Sequence, residues 1–154
     1  MIEFADNKLS VLCTLVFRVS IIQNKEGREM KHSEAFVKLV DEAKTRVKEV
    51  SPEDVLEMLK RKDSFYFVDV REDREWNEGH AVGASHIGRG VMERDIEKEI
   101  PNKDSLIVLY CGGGFRSALA ADNIQKMGYT NVLSMAGGMR LWREKAYPET
   151  KDDV

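Results

Sequence analysis

One short stretch of the chain constrains its fold more than any other part. An apolar run at residues 106–110 leads into Cys111, which is followed by three glycines and then by a helical pattern at residues 116–121. This order predicts a buried strand, a tight loop and a helix, with the thiol at the carboxyl end of the strand. A fold of this chain must therefore place Cys111 at the edge of a sheet, in front of a helix.

The glycines after Cys111 predict a loop that binds anions. Without a Cβ atom, glycine reaches backbone conformations in which successive N–H groups point to the same side. Such a nest, completed by the N-terminus of a helix, attracts anions, and the first anion within reach is the sulfur of Cys111. We therefore expect Cys111 to be a thiolate nucleophile rather than an inert buried cysteine. The candidate anion-binding residues are Gly112, Gly113, Gly114, Phe115, Arg116 and Ser117.

The rest of the chain alternates between strand and helix patterns. The predicted strands lie at residues 65–70, 84–87, 106–110 and 131–134. The predicted helices begin after Ser33 and Ser51 and also cover residues 74–78, 91–99, 115–127 and 138–145. This alternation predicts an α/β fold with a mainly parallel central sheet of about five strands and helices on both faces. Ligands of such folds bind at the carboxyl ends of the strands.

Three ordered signatures resemble those of the single-domain rhodaneses, a family of thiosulfate sulfurtransferases. The first signature comprises Phe67-Val68-Asp69-Val70-Arg71-Glu72, Trp76, Gly79-His80-Ala81-Val82-Gly83-Ala84 and His86-Ile87. The second is the loop that begins at Cys111. The third comprises Ala136-Gly137-Gly138-Met139, Trp142 and Pro148. The resemblance covers residues 50–148, with the signatures in the expected order and spacing.

The resemblance implies a rhodanese-like fold and a sulfur-transfer reaction. In that reaction the thiolate of Cys111 takes the outer sulfur of thiosulfate or of a persulfide donor, and cyanide or a thiol then removes it. The loop amides would stabilise the anionic persulfide, and Arg116 would orient the anionic donor. No metal ion and no organic cofactor are implied, and a sulfur-accepting protein is a further expected partner.

Several side chains of the predicted site have two open roles. Arg116 binds the donor, pairs with a carboxylate such as Asp69 or Glu72, or does both, because an arginine has five donors. Ser117 either donates a hydrogen bond to the sulfur or only stabilises the start of the helix. Asp69 and Arg71 are expected to support neighbouring segments, because the reaction does not require a catalytic base.

Two aromatic residues near the predicted site are also open to interpretation. Phe115, the one large apolar side chain of the loop, either shapes the mouth of the site or packs inward. His80 follows a glycine, so we expect it in a turn or a cap rather than in catalysis.

Loop length separates a sulfurtransferase from other enzymes of similar fold. Cys111 and Arg116 bound a loop of six residues, whereas the phosphatases that resemble this fold have seven. A smaller cradle suits a sulfur atom better than a phosphoryl group. Two alternatives remain: a persulfide carrier or non-catalytic binding module that acts with a protein partner, and a phosphatase or arsenate reductase on the same scaffold.

Composition excludes several classes of function. The chain has 154 residues and a net charge of −3 without a basic stripe, which fits one core and argues against nucleic-acid binding. No apolar run reaches the roughly 18 residues that span a bilayer, so no membrane association is expected. The two cysteines, Cys13 and Cys111, are too few for a disulfide framework. A free thiol therefore predicts a reducing, cytoplasmic location, and Cys13 is expected to be a buried apolar cysteine.

The same patterns divide the chain into four parts. Residues 1–29 form an N-terminal extension, and residues 30–50 form an N-terminal helix. Residues 51–148 are expected, from the resemblance, to form a rhodanese domain, and residues 149–154 a C-terminal tail. The pattern leaves open whether the extension is ordered.

Overall fold

The structure is a computed structural model that describes residues 32–151. Short strands and helices alternate along these residues. The strands are β1 (Lys48–Val50), β2 (Tyr66–Asp69), β3 (His80–Ala81), β4 (Ser85–His86), β5 (Ile107–Tyr110), β6 (Val132–Met135) and β7 (Glu149–Thr150). The helices are α1 (Glu34–Lys44), α2 (Pro52–Arg61), α3 (Asp73–Asn77), α4 (Met92–Glu99), α5 (Phe115–Lys126) and α6 (Gly138–Glu144).

Five of the strands form one parallel sheet in the order β1-β6-β5-β2-β4. This arrangement confirms the predicted α/β fold with a mainly parallel sheet of five strands. β5 lies in the centre, so Cys111 leaves the sheet between the carboxyl ends of its two neighbours. The predicted position of the thiol at the carboxyl edge of a buried strand is therefore confirmed.

The sheet is buried on both of its faces, as its continuous apolar strands predict. Along β5, Ile107 and Leu109 belong to one apolar cluster, whereas Val108 and Tyr110 belong to another. The first cluster includes Ile96 of α4 and residues of α5, and α1 packs against α5. The second cluster includes residues of α2 and α6, which contact each other. Helices therefore cover both faces, which also confirms the prediction.

Local sequence signals fix several helix ends. The Ser51 hydroxyl accepts the N–H of Asp54 at 3.1 Å, and Pro52 takes the first turn of α2, as the sequence predicts. α5 ends at Lys126, one residue earlier than the predicted end at Met127, and Gly128 follows with a φ of 98°. A left-handed glycine at this place ends a helix at little steric cost.

Three strands were not located by the sequence patterns. β1 falls within the predicted N-terminal helix segment, of which α1 occupies only Glu34–Lys44. β3 and β7 pair antiparallel, and this pairing brings the first residues of the predicted tail back to His80 and Ala81. These three strands have two or three residues and at most one aliphatic side chain each, which is too little to show a strand pattern, so only their long-range pairing defines them.

Two expectations fall on residues that the structure does not describe. The extension at residues 1–29 and the buried state of Cys13 both lie outside residues 32–151. Among the described residues, no helix is long and apolar enough to cross a membrane.

Candidate active site

Two hydrogen-bond donors reach the sulfur of Cys111 among the described residues. Cys111 directly follows β5, and its side chain is buried. The N–H of Gly114 lies 3.1 Å from Sγ, and the hydroxyl of Ser117 lies 3.6 Å from it. Donors of this kind stabilise a sulfur anion more than a neutral thiol. The arrangement therefore suits a thiolate or a persulfide.

The loop turns back on the sulfur at Gly114. This residue caps α5 with a φ of 92°, a conformation that L side chains rarely adopt. A Cβ atom there would also lie 3.1 Å from the backbone nitrogen of Gly137. Both constraints explain a glycine at the position whose N–H contacts Sγ.

Residues at and after the third signature hydrogen-bond the backbone of the loop. The N–H of Met139 donates to the carbonyl oxygen of Cys111 at 2.7 Å, and the N–H of Arg140 donates to that of Gly112 at 2.9 Å. Gly138 has a φ of 52°, and a Cβ atom at this residue would collide with the Cys111 carbonyl. The first turn of α6 thus holds the loop backbone, a role that the sequence patterns did not assign to these residues.

Ser117 connects the sulfur to a second buried hydroxyl. Its Oγ lies 2.8 Å from the Oγ of Ser134 on β6, and both side chains are fully buried. If Ser117 donates to the sulfur of Cys111, the proton between the two serines must come from Ser134, because a hydroxyl has one proton. Ser134 was not singled out in the sequence, since it lies in a strand run and meets Ser117 only through the fold.

Arg116 pairs with Glu75, and not with Asp69 or Glu72, the partners that the sequence suggested. Both terminal nitrogens of the guanidinium donate to the carboxylate, at 2.6 and 2.8 Å. The Arg116 guanidinium lowers the pKa of the Glu75 carboxyl below its ordinary value, and Glu75 raises the pKa of Arg116. Both groups therefore carry their charges at neutral pH.

Asp69 and Arg71 form a buried ion pair beside the loop. The Arg71 guanidinium donates to the Asp69 carboxylate at 2.6–3.0 Å, and also to the carbonyl oxygen of Gly79 at 2.8 Å. Asp69 lies opposite Tyr110 in the sheet, and the Tyr110 hydroxyl accepts the N–H of Ala81 at 3.1 Å. Burial raises the pKa of the Tyr110 phenol, and the Asp69 carboxylate raises it further. These contacts join β2, β3 and β5.

Phe115 and His80 both make ring contacts. The Phe115 ring is half-buried and stacks on Phe36 of α1 at a centroid distance of 6.0 Å, with the Lys44 ammonium 5.7 Å from its centroid. His80 belongs to β3, where its buried ring stacks on Trp76 at 3.3 Å. Its Nδ1 lies 3.3 Å from the carbonyl oxygen of Trp76 in the last turn of α3, which agrees with the expected capping role, although the residue itself lies in β3 and not in a turn.

The fold gathers the predicted residues into two groups. Residues 111–117 form the loop and the first turn of α5, and two of them contact the sulfur of Cys111. Asp69 and Arg71 form the neighbouring ion pair, and no described hydrogen bond joins them to that sulfur. The sequence reasoning did not single out Glu75, Tyr110 or Ser134, and it named Met139 only as part of the third signature, without a role. Glu75 had one local signal, its position three residues after Glu72 at the start of a short helix.

Comparisons with known proteins agree with this geometry. The family described as "Rhodanese-like domain" matches residues 51–145 of the chain. Thiosulfate sulfurtransferase GlpE of Pseudomonas putida is 32% identical over 103 residues, which are 67% of this chain and 91% of that protein.

Two further similar proteins differ from GlpE. One aligns with this chain over only about half of its own length, and the other is described with a different activity. A Bacillus subtilis protein provisionally named as the sulfur carrier YrkF is 35% identical over 98 residues, which are 61% of this chain and 52% of that protein. The chain therefore spans about half of the length of this relative. A Rhodopseudomonas palustris structure of unknown function, described as a possible tyrosine phosphatase, is 30% identical with a TM-score of 0.68. That match covers 79% of this chain and 98% of the other.

Proposed function

Because the chain belongs to the family of rhodanese-like domains, we propose that it is a sulfurtransferase that works through a persulfide on Cys111. The donor is thiosulfate or a persulfide, and the acceptor is cyanide or a thiol. The observation that carries the proposal is the buried sulfur of Cys111 at the carboxyl end of β5, which receives the N–H of Gly114 and the hydroxyl of Ser117. The names of sulfurtransferase relatives support the same reaction class.

The first half of the reaction loads sulfur onto the protein. An electron pair of the Cys111 thiolate attacks the outer sulfur of thiosulfate and forms a new S–S bond. The original S–S bond of thiosulfate breaks, and its electron pair leaves with sulfite, SO₃²⁻. The products are Cys111–S–S⁻ and sulfite, and their total charge equals that of the thiolate and thiosulfate.

The second half of the reaction returns the thiolate. Cyanide or a thiolate attacks the outer sulfur of Cys111–S–S⁻, and the S–S bond breaks with its electron pair on Cys111. With cyanide the product is thiocyanate, and with a thiolate it is a new persulfide. An accepting protein would take sulfur in the same way through its own thiol. A reducing compartment such as the cytoplasm, where thiols stay free, suits this cycle.

The anion-binding part of the loop supports the persulfide stage. The persulfide sulfur is negatively charged, and the N–H of Gly114, at the turn before α5, already reaches Sγ. We expect the other N–H groups of the loop to bind the outer sulfur. Ser117 adds a hydroxyl donor on the inner side. No proton donor is needed for the leaving group, because sulfite is stable as an anion.

A phosphatase reaction is less well supported by this site. The loop from Cys111 to Arg116 has six residues, which gives a smaller cradle than the seven-residue loop of phosphatases with a similar fold. A phosphatase also requires a general acid for its leaving alkoxide. Hydrolysis of p-nitrophenyl phosphate tests this reaction class, and we expect none above the level of Cys111→Ser.

The proposed function is tested by sulfur transfer and by intact mass together. The wild-type chain is incubated with thiosulfate, and its mass is measured before and after cyanide is added, while thiocyanate is quantified. We expect one added sulfur atom, its loss with cyanide, and repeated turnover. Cys111→Ser should fold normally, yet neither gain sulfur nor release thiocyanate. A wild-type chain that takes up no sulfur, or a Cys111→Ser variant with near-normal turnover, would refute the proposal.

A further inference from the structure

The carboxylate of Glu75 neutralises the one loop arginine that could attract an anionic donor. Glu75 lies on α3, and Arg116 lies 41 residues later in the first turn of α5. Two hydrogen bonds of 2.6 and 2.8 Å join both terminal nitrogens of Arg116 to both carboxylate oxygens. Such bidentate geometry fixes the two side chains relative to each other.

Glu75 is held in place by its own helix as well. Its Oε2 accepts the N–H of Glu72 at 3.2 Å, and the two residues form a capping box at the start of α3. Its side chain is 25% exposed, which is less than a carboxylate on a free helix surface. The negative charge therefore has a defined position beside the loop.

Arg116 in turn lies against the loop that holds the sulfur. Its Nη2 is 3.1 Å from the point that a Cβ atom on Gly112 would occupy, and Glu75 Oε1 is 3.7 Å from the same point. The charge of Cys111 contributes to the raised pKa of Arg116, although Glu75 contributes more. Sulfur, guanidinium and carboxylate thus belong to one electrostatic cluster.

The sum of charges in this cluster determines which donors approach easily. The guanidinium and the carboxylate cancel each other, and Glu72 and Arg71, which also act on this pair, carry opposite charges. The charge of the Cys111 thiolate is then left uncompensated and repels donors in proportion to their own negative charge. Thiosulfate carries two negative charges, whereas a persulfide or an organic thiosulfonate carries one.

We propose that Glu75 is a specificity-determining residue that disfavours dianionic sulfur donors relative to donors with a single negative charge. The inference rests on the proposed sulfur transfer at Cys111 and concerns its donor. By occupying Arg116, Glu75 prevents that side chain from offering a full positive charge to thiosulfate. The chemical class that suits the unmodified site is therefore a monoanionic donor of sulfane sulfur, such as a thiol persulfide.

The two donor types can be compared with one chemical mechanism. Benzenethiosulfonate, C₆H₅SO₂–S⁻, reacts as thiosulfate does: the Cys111 thiolate bonds to its outer sulfur, and the S–S bond breaks with its electron pair on the sulfinate. The products are Cys111–S–S⁻ and C₆H₅SO₂⁻, which conserve both atoms and charge. Thiosulfate and benzenethiosulfonate thus differ mainly in their charge and in the apolar ring.

The test is the ratio of kcat/KM for thiosulfate to kcat/KM for benzenethiosulfonate, with cyanide as acceptor. In Glu75→Gln, the amide keeps the size of the side chain but removes its charge, so Arg116 becomes a net cation. We expect the ratio to rise about three- to tenfold above the wild-type ratio, because the site is partly exposed and screened. Using a ratio cancels any equal loss of activity that a merely structural effect would cause.

Two matched variants separate charge at the site from other effects. Glu75→Asp keeps the negative charge, so its ratio should stay within about twofold of the wild type. Glu57→Gln removes the same charge from an exposed ion pair with Lys60 on α2, and it should also leave the ratio unchanged. Equal ratios in wild type, Glu75→Gln and Glu57→Gln would overturn the inference.

Salt dependence of the wild-type protein gives a test that needs no variant to fold. Added salt weakens repulsion of the dianion more than that of the monoanion, so the ratio should rise with ionic strength. A ratio that is flat or falls with salt would contradict the inference even if Glu75→Gln does not fold. A wild-type chain that accepts sulfur from neither donor would instead refute the proposed function on which this inference rests.

Discussion

The N–H of Met139 donates to the carbonyl oxygen of Cys111 at 2.7 Å, so the first turn of α6 is hydrogen-bonded to the backbone of the proposed nucleophile. Cys111 and Met139 are brought together by the adjacent strands β5 and β6. The backbone of the loop is therefore hydrogen-bonded to α6, a helix that follows it in the chain. This contact makes the glycines of the third signature part of the site.

Replacing Gly138 should damage both stability and sulfur transfer. The φ of 52° disfavours a side chain, and a Cβ atom would collide with the Cys111 carbonyl. We expect Gly138→Ala to lower the free energy of unfolding by about 2–4 kcal/mol. Denaturant unfolding measures the loss, and the thiocyanate assay measures the activity. Gly90→Ala is the control, because no atom lies within 4 Å of its added Cβ; equal stability of both variants would contradict the prediction.

The hydroxyl chain from Ser134 to Cys111 should show non-additive mutations. Ser134 contacts the sulfur only through Ser117, at Oγ–Oγ and Oγ–Sγ distances of 2.8 and 3.6 Å. We expect Ser117→Ala to slow sulfur loading about tenfold and Ser134→Ala somewhat less. The double variant should be no slower than Ser117→Ala, because Ser134 then has no hydroxyl to orient. Single-turnover rates of sulfur loading test this prediction. Fully additive losses in the double variant would show that the two serines do not act through one chain of hydrogen bonds.

Arg116→Ala should lower kcat/KM for thiosulfate more than kcat/KM for a donor with a single negative charge. Removing the guanidinium leaves the Glu75 carboxylate without its partner beside the loop, so the site becomes more negative. We expect kcat/KM for thiosulfate to fall about ten- to a hundredfold, and that for a monoanionic thiosulfonate to fall less. Steady-state kinetics with both donors measure the difference. Unchanged thiosulfate kinetics would assign Arg116 a purely structural role.

The ion pair between Arg46 and Asp122 should make stability depend on pH in acid. The Arg46 guanidinium lowers the pKa of the Asp122 carboxyl from 3.8 to about 2, and Lys126 contributes. A lowered pKa in the folded state means that the unfolded chain binds the proton more readily, so stability rises with pH. The contribution is complete above about pH 4 and is lost as the pH falls through about 2.

Asp122→Asn tests this ion pair. Because Arg46 is half exposed, we expect the variant to lose about 1 kcal/mol of unfolding free energy at pH 7 and almost none at pH 2. Urea unfolding at several pH values measures the change. Asp63→Asn, which removes an exposed partner of Arg61, serves as the control. The prediction is wrong if the difference between Asp122→Asn and wild type is the same at both pH values.

The parts of the fold that the sequence predicted are those with strong local signals. The buried run before Cys111, the glycines after it and the helical pattern that follows correspond to β5, the loop and α5. Gly128 marks the end of α5 because a left-handed residue is needed there. Each of these features depends on a few adjacent residues, so the chain shows it without any knowledge of the rest.

The parts that the sequence missed depend on contacts between distant residues. β1 has three residues, two of them charged and exposed, and is a strand only because it pairs with β6. Glu75 shows its capping box locally, yet its pairing with Arg116 requires the fold to bring α3 to the loop. Ser134 resembles any residue in a strand until β6 places it opposite Ser117. Local patterns therefore indicated Cys111 and its loop, but not the partners that other segments of the chain bring to them.

The burial of β5 has a consequence for the motions of the protein. This strand is hydrogen-bonded on both sides and covered on both faces, with all four of its residues buried. Amides in such a strand exchange their hydrogens with solvent only when the whole domain opens. Cys111, the proposed nucleophile, directly follows this strand, so we expect it to be attached to a slowly exchanging segment. In the proposed cycle, sulfur would therefore be loaded and removed at the loop while β5 keeps its hydrogen bonds.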